Sequence, residues 1–173
     1  MKQITIAAFI FLLAGLASAQ VRSIYTSTSE KACKERDAGD SDGGEYIGTC
    51  PGVSGYKLEL IEGDLRQTLN VITPAKKTLR LRLNEFFSAF SAIGEKIEWR
   101  VRRGVPFALI ARFNVAGDVD DTKRISYLMV AKVGPKESCI TDIVKPAAKQ
   151  NETARKLADE APSKPCKAVG TED

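Results

Sequence analysis

The sequence predicts a single α+β domain, dominated by an antiparallel β-sheet, with a short mid-chain helix, a C-terminal helix and two disulfides. Several segments alternate apolar and polar residues with the period of a half-buried strand. Short turns separate these segments, which favours antiparallel neighbours. The 173-residue chain has 4 cysteines, and an even number is typical of paired cysteines in an exported protein.

The amino terminus has the pattern of a secretory signal peptide. Lys2 provides the positive charge, residues 4–16 form the apolar segment, and residues 17–19 (Ala-Ser-Ala) provide the small side chains that signal peptidase reads. The apolar segment is shorter than the roughly 20 residues that a transmembrane helix needs. We therefore expect cleavage after Ala19.

Removal of the signal peptide (residues 1–19) leaves residues 20–173, a length that suits one globular domain. The whole chain has 26 lysines and arginines, 22 aspartates and glutamates and no histidine, so its net charge is +4. This charge is too small to indicate a nucleic-acid partner. Charged residues interrupt every later apolar run, so no membrane span is expected in the mature chain. The expected location is the periplasm or the medium outside the cell.

The cysteines are expected to form two disulfides. Three pairings are possible, and we favour Cys33 with Cys50 and Cys139 with Cys166 because the members of each pair are close in sequence. The chain has no CxxC spacing and no histidine, which argues against a zinc site or a catalytic thiol. No metal and no other cofactor is expected.

Seven strands are predicted from the apolar patterns. They cover residues 56–60, 65–72, 79–83, 97–102, 105–115, 125–133 and 139–144. The first two form a hairpin, because the turn-forming pair Gly63-Asp64 separates them. The runs at 105–115 and 125–133 are almost continuously apolar, as strands are when both of their faces are buried.

The predicted mid-chain helix covers residues 84–93. This segment places three phenylalanines and an isoleucine at helical spacing. Asn84 is suited to the N-cap, and Gly94 follows the predicted end.

The predicted C-terminal helix runs from Asn151, as its cap, to about Ala161. Its apolar stripe consists of Ala154, Leu157, Ala158 and Ala161. Its opposite face is expected to point into water and consists of Arg155, Lys156, Asp159 and Glu160. A helix with so few large apolar residues needs an anchor, which a disulfide from Cys166 to the sheet provides.

An acidic, glycine-rich loop holds Asp37, Asp40, Asp42 and Glu45. Oxygen ligands on a flexible loop suit calcium, but the spacing here does not follow the EF-hand pattern. A solvated loop explains the same residues, so no metal site is predicted.

A basic surface is the predicted binding site. Strand alternation points Arg80 and Arg82 to one side of their strand, and Arg100 and Arg102 to one side of theirs. If the two strands are close, four guanidiniums share one face, which suits carboxylates, phosphates or anionic polymers. The alternative is a solvated sheet face on which glutamates balance the arginines.

No catalytic residue is predicted. A chain without histidine has neither a Ser-His-Asp triad nor a Cys-His pair. The sequence also lacks the glycine-rich phosphate-binding loops GxxxxGK[ST] and GxGxxG. Its many carboxylates leave an enzyme possible, but nothing in the pattern selects a pair of them.

Three short motifs allow a comparison with a known protein family: CPGxxGY at residues 50–56, EGDLR at residues 62–66 and EWR at residues 98–100. Through these motifs the chain is similar to a family of exported proteobacterial proteins of unknown function. The resemblance implies a periplasmic or secreted bacterial protein and no particular activity. It also implies a structural hairpin in which Asp64 pairs with Arg66.

The sequence favours a non-enzymatic interaction module of the bacterial envelope. Its partner is expected to be an envelope or host protein, or an anionic envelope component, bound by the arginine face. The first alternative is a carrier of a small apolar ligand, with a cavity lined by Trp99 and the phenylalanines. A carboxylate-based enzyme is the least favoured alternative.

Overall fold

Ten strands and one α-helix form the described part of the chain in a computed structural model, which covers residues 20–36, 45–117 and 123–170. The strands are β1 (Val21–Ser27), β2 (Lys34–Arg36), β3 (Tyr46–Cys50), β4 (Lys57–Gly63), β5 (Arg66–Ile72), β6 (Thr78–Arg80), β7 (Ser91–Arg102), β8 (Val105–Ala116), β9 (Arg124–Val133) and β10 (Ser138–Val144). Helix α1 spans Gln150–Glu160 and continues into a 3-10 turn at Ala161–Ser163. In this part of the chain, no helix is both long and apolar enough to cross a membrane.

Two predicted features lie outside the described residues. The first is the signal peptide at residues 1–19. The second is the acidic loop, in which Asp37, Asp40 and Asp42 are outside the described residues and only Glu45 is described.

The strands form one sheet with the order β10-β9-β8-β7-β5-β4-β3-β2, with β1 beside β7 and β6 beside β5. The described pairings are antiparallel except where Arg66 of β5 meets Ser91 of β7. Beyond this point β5 pairs with β6, while β7 pairs with β1. We call β2–β6 the first half-sheet, and β1 with β7–β10 the second half-sheet. The α+β fold class dominated by antiparallel strands is confirmed.

The inner faces of the two half-sheets pack against each other. Leu58 and Leu69 of the first half-sheet share one apolar cluster with Trp99 and Phe113 of the second, and all four side chains are completely buried. The indole N–H of Trp99 donates to the hydroxyl of Thr26 at 2.8 Å. Trp99 and Phe113 therefore fill part of the core.

Helix α1 covers the outer face of the second half-sheet. Three of its alanines (Ala154, Ala158 and Ala161) are buried against Ile110 of β8 and Val130 of β9. Because the opposite faces of β8 and β9 contribute to the main core, these strands are apolar on both faces. This confirms the interpretation of their continuous apolar runs.

Both predicted disulfides are present. Cys33 is bonded to Cys50 across a sequence separation of 17, and Cys139 is bonded to Cys166 across a separation of 27. The second bond joins β10 to the segment that follows α1. In that segment the backbone N–H of Lys167 donates to the carbonyl of Ile140 at 2.7 Å, so the predicted anchor of the helix is confirmed.

The mid-chain helix predicted over residues 84–93 is not formed as an α-helix. The segment 84–93 has one 3-10 turn at Leu83–Glu85, and its last three residues belong to β7. Phe87 instead packs its ring against Phe113 and Tyr127, with ring centroids 5.7 and 4.6 Å apart. Phe86 and Phe87 therefore pack against the core from an irregular segment, whereas Phe90 is exposed.

Helix α1 begins one residue before the predicted cap. Its N-cap is Lys149, in the left-handed region and without a side-chain cap. Gln150 explains the earlier start, because its side-chain amide donates to the carbonyls of Ser126 and Val144 at 2.9 and 3.0 Å. Asn151 lies in the first turn and accepts a hydrogen bond from Arg112 at 3.4 Å.

The β4–β5 turn contains a strained leucine. Both turn residues have positive φ, 52° for Asp64 and 56° for Leu65, so the turn lies one residue later than predicted. Arg66 Nη1 lies 3.2 Å from Asp64 Oδ2, which is the expected pair. A two-residue hairpin turn with φ > 0 at both positions favours Asn and Gly, whereas leucine pays a steric penalty there.

The substitution Leu65→Gly is expected to raise the free energy of unfolding by about 0.5–1 kcal/mol, because glycine removes the left-handed penalty but adds unfolded-state entropy. Leu65 is 63% exposed, so little apolar burial is lost. Urea unfolding measures the change, with Leu65→Ala as the matched control that keeps the steric penalty. Equal stability of the two variants would contradict the proposed strain.

Candidate functional site: a polar groove on the first half-sheet

The four arginines of the predicted binding face are divided between the two half-sheets. Arg80 lies in β6, which pairs with β5, and Arg82 follows it. Arg100 and Arg102 lie in β7, which pairs with β1 and β8. Arg100 is only 9% exposed. A single exposed face of four guanidiniums is therefore not formed, because β6 and β7 have different neighbours and one arginine is buried.

Arg100 holds helix α1 on the sheet. Its Nε and Nη2 donate to the two carboxylate oxygens of Asp159 at 2.8 and 2.9 Å, and its Nη1 donates to the hydroxyl of Ser23. Ser23 donates in turn to Glu98, which also accepts a 2.7 Å hydrogen bond from Nε of Arg155. Asp159 and Arg155 were predicted to face water. They point to the sheet because β7 carries charged partners for them.

Glu98 is the central acid of this network. Burial raises the pKa of Glu98, but hydrogen bonds from Arg155 and Ser23 outweigh burial and hold this pKa below its usual value. A carboxyl group with a lowered pKa stabilises the folded state above its unfolded pKa of about 4.3. That stabilisation is lost as the pH falls through the lower, folded-state pKa.

The free energy of unfolding is therefore expected to decrease between pH 6 and pH 3, and part of the decrease is expected to come from Glu98. Urea unfolding at several pH values measures it in the wild type and in Glu98→Gln, which cannot titrate at this position. The variant is expected to be less stable than the wild type at pH 6, and its stability should change less on acidification. If both proteins show the same pH dependence, Glu98 does not contribute to it.

The exposed arginines differ in their partners. The guanidinium of Arg102 lies 4.8 Å above the ring of Phe107. Nε of Arg82 donates to Glu85 at 2.7 Å, and this hydrogen bonding lowers the pKa of Glu85 and raises the pKa of Arg82. Within the described residues, Arg80 forms no hydrogen bond and no salt bridge. Arg80 is therefore the arginine of the predicted set that is available to a ligand.

Arg80 lies at the edge of a groove on the outer face of the first half-sheet. The groove has a volume of about 500 Å³ and is lined mainly by polar residues of β4, β5, β6 and the Leu83–Glu85 turn. Strand register aligns Glu59 of β4 with Asn70 of β5, and Asn70 with Arg80 of β6. An acid, an amide and a guanidinium therefore form a row across three adjacent strands.

The floor of the groove is polar although it is buried. Glu59 is 7% exposed and Asn70 is 4% exposed, and Nδ2 of Asn70 donates to Oε2 of Glu59 at 2.9 Å. Burying a carboxylate is costly, and a buried polar group is more informative than an exposed apolar one. The outer face of the second half-sheet is instead covered by α1, through the helix alanines and the ion pairs of Arg100 and Glu98.

Strand alternation places Glu59 of β4 on the face opposite Leu58 and Leu60, whose side chains lie in the main core. It could not show that Glu59 and Asn70 are buried, because residues distant in sequence complete the groove, among them Arg82, Asn84 and Glu85. The one signal of this groove in the sequence is that an acid, an amide and arginines lie on successive predicted strands.

A further group of possible metal ligands consists of Glu137, Cys139 and Cys166. The two sulfur atoms are bonded to each other. They are therefore not thiolates, and this group does not form a metal site.

Comparison of the chain with protein-family models, with curated proteins and with solved structures finds no match. The resemblance to exported proteobacterial proteins therefore stays a prediction, and a function has to be inferred from the groove itself.

Proposed function

We propose that this chain is a non-enzymatic binding module that works outside the cytoplasm and recognises an anionic group in the groove of the first half-sheet. The observation that carries the proposal is Arg80, which is exposed at the groove and makes no hydrogen bond or salt bridge within the described residues. Arginine binds carboxylates and phosphates with two parallel hydrogen bonds. A guanidinium that has no hydrogen-bond partner within the described residues, beside a polar floor, is suited to this task.

The two disulfides are consistent with an extracytoplasmic protein. We propose that residues 1–19 are a signal peptide cleaved after Ala19, and that the mature chain acts in the periplasm or is secreted. The groove volume of about 500 Å³ lies within the usual range of small-ligand sites. The proposed partner is an anionic envelope component, or an envelope or host protein that inserts an acidic group.

The alternatives have less support. Trp99 is completely buried in the core, so it does not line an open apolar cavity of the kind that a carrier needs. The groove contains two acids, Glu59 and Glu85. The hydrogen bonds from Arg82 lower the pKa of Glu85, so this carboxylate remains ionised near neutral pH and is not suited to act as a general acid.

The substitution Arg80→Gln is expected to weaken partner binding at least about tenfold, because a hydrogen bond to a charged group contributes roughly 1.5–3 kcal/mol. The oxidised mature chain is immobilised, and its retention of envelope material is measured at low and high salt. High salt screens exposed charges, so the partner should be released. Arg22→Gln is the matched control, since Arg22 is an exposed strand arginine outside the groove.

Retention of the same partner by wild type and Arg80→Gln, or no retained partner at either salt concentration, would contradict the proposed function. Loss of the partner in both arginine variants would indicate a general charge effect, and would also contradict a specific site at Arg80.

A further inference from the structure

We propose that the outer edge of β1 pairs with β1 of a second copy of this chain, so that their second half-sheets form one continuous antiparallel sheet across a two-fold axis. This surface lies outside the groove, and the pairing itself does not depend on the proposed function. Its consequence for binding does rest on that function, because it concerns the direction in which the two grooves of the dimer point.

The first argument is that β1 is the least protected edge among the strands that the structure describes. Folded proteins protect sheet edges with short strands, bulges, prolines, lysines or a covering segment. β2 and β6 have three residues each. β10 has a bulge, and the segment after α1 is bonded to it by the Cys139–Cys166 disulfide. β1 has seven residues in unbroken register with β7, and it contains neither proline nor lysine.

The second argument is the direction of the backbone groups of β1. The N–H of Thr28 donates to the carbonyl of Glu95 at 2.8 Å, and this pair continues the register of β1 with β7. Hydrogen-bonded and non-hydrogen-bonded pairs alternate in an antiparallel ladder. The groups that point away from β7 therefore belong to Val21, Ser23, Tyr25 and Ser27. Within residues 20–36, 45–117 and 123–170, these outward groups have no backbone partner.

The third argument is that the sequence of β1 suits pairing with itself. An antiparallel register centred on Ile24 pairs the whole of β1 with the whole of β1 in the other copy, and it gives every outward N–H and C=O a partner. A register shifted by two residues leaves some of them without one. Arg22 is the one charged residue of β1, and it lies opposite Thr26 of the other copy, so like charges do not face each other. The charge pattern therefore favours a second copy as the occupant of this edge.

The dimer also covers two apolar side chains of β1. Ile24 packs against the main core from the inner face but is only partly buried, and in the centred register it lies beside Ile24 of the other copy. Tyr25 is 49% exposed and is diagonal to Tyr25 of the other copy, a separation that aromatic side chains can span. Both contacts remove apolar surface from water, which favours association.

The symmetry of the dimer determines where its grooves point. A two-fold axis between antiparallel strands is perpendicular to the sheet, so each face of the sheet stays on its own side. Both copies of α1 therefore lie on one side of the dimer, and both first half-sheets with their grooves lie on the other. If the groove binds an anionic group as proposed, the dimer presents two Arg80 sites in the same direction. A polymer with repeated anionic groups can then bind both sites at once, which raises its apparent affinity.

Sedimentation velocity of the oxidised mature chain, from micromolar to submillimolar concentration, measures the association. The wild type is expected to change from monomer to dimer as the concentration rises. Tyr25→Pro should preserve the pairing with β7, because the N–H of residue 25 points away from that strand. The matched control is Tyr25→Ala, which loses the same side chain but keeps the N–H. The alanine variant is expected to dimerise at least about tenfold more tightly than the proline variant, since proline removes a donor from each copy and obstructs a neighbouring strand.

Amide exchange followed by NMR at low and high protein concentration tests the same edge without a substitution. The amides of Ser23, Tyr25 and Ser27 should be protected only at high concentration, because they point away from β7. The amides of Ile24 and Thr26 should be protected at both concentrations, because they are bonded to β7. The amide spectrum of Tyr25→Pro reports whether this variant has kept the fold.

A monomer at every concentration would overturn the proposed dimer, and so would equal association of Tyr25→Pro and Tyr25→Ala. Protection of the outward amides that requires added envelope material would assign the edge to a different partner and would also exclude the second copy. A monomeric wild type whose envelope partner is lost in Arg80→Gln would overturn the dimer and leave the proposed function intact. If the dimer forms but envelope material retains Tyr25→Pro as strongly as Tyr25→Ala, the two grooves do not act together.

Discussion

Replacement of Arg100 by methionine is expected to lower the free energy of unfolding by about 3 kcal/mol or more, the usual cost of removing one partner from a buried ion pair. Methionine keeps much of the apolar length of the side chain but cannot bind Asp159 or Ser23. Glu98, with a side chain 11% exposed, then loses one of its two positive neighbours. Urea unfolding at neutral pH measures the loss.

The matched control is Arg22→Met, because Arg22 is an exposed arginine on the neighbouring strand β1. A change within about 0.5 kcal/mol is expected there, as for most surface substitutions. If Arg100→Met costs no more than this control, the network of Arg100, Glu98, Asp159 and Arg155 does not anchor α1.

Removal of the Cys139–Cys166 disulfide by alanine at both positions is expected to lower the free energy of unfolding by about 3 kcal/mol, by the loop-closure relation. The sequence separation is 27 residues, and α1 lies within the closed loop. Because α1 buries mainly alanines, it has little apolar area to hold it in place. Its amide protons should therefore exchange faster in the variant than the amide protons of β8 and β9.

The other disulfide provides the control. Alanine at both Cys33 and Cys50 opens a loop with a separation of 17, so its entropic effect is similar, about 3 kcal/mol. This bond does not enclose α1, and the exchange of the helix relative to the sheet should remain unchanged. Equal loosening of α1 in both variants would contradict the specific anchoring role of Cys139–Cys166.

Much of the fold was predictable because most of its strands have a strong local pattern. The alternation around Leu58, the apolar runs of β8 and β9, and the alanine stripe of α1 all correspond to faces buried in the structure. Strands β1, β2 and β3 were not predicted. β2 has only three residues, and β1 is only partly buried on either face, so neither strand shows a clear period of two.

The sequence alone gives no reason to reject the helix predicted over residues 84–93. Phenylalanines at positions 86, 87 and 90 satisfy a helical period, but tertiary contacts decide their conformation. Phe87 packs against Tyr127 of a distant strand. The pairing of Ser91 with both Arg66 and Val115 extends β7 into the predicted helix. Neither contact has a local signal in the sequence.

The candidate site was predictable only in part. The sequence identified Arg80 and Arg82 as candidate binding residues, but it grouped them with Arg100 and Arg102 because sheet order is not visible in one strand's pattern. The groove around Glu59 is lined by residues of three strands and a turn. Alternation shows the direction of a side chain and does not show what covers it.

Hydrogen exchange of the oxidised mature chain, measured by mass spectrometry with and without the envelope partner, tests the binding groove most directly. Binding in the groove should slow exchange in residues 74–85, which include β6 and the Leu83–Glu85 turn, and no such protection is expected in Arg80→Gln. Protection confined to α1, or to the β7–β8 hairpin around Gly104, with unchanged exchange in residues 74–85, would place the partner elsewhere and contradict the account.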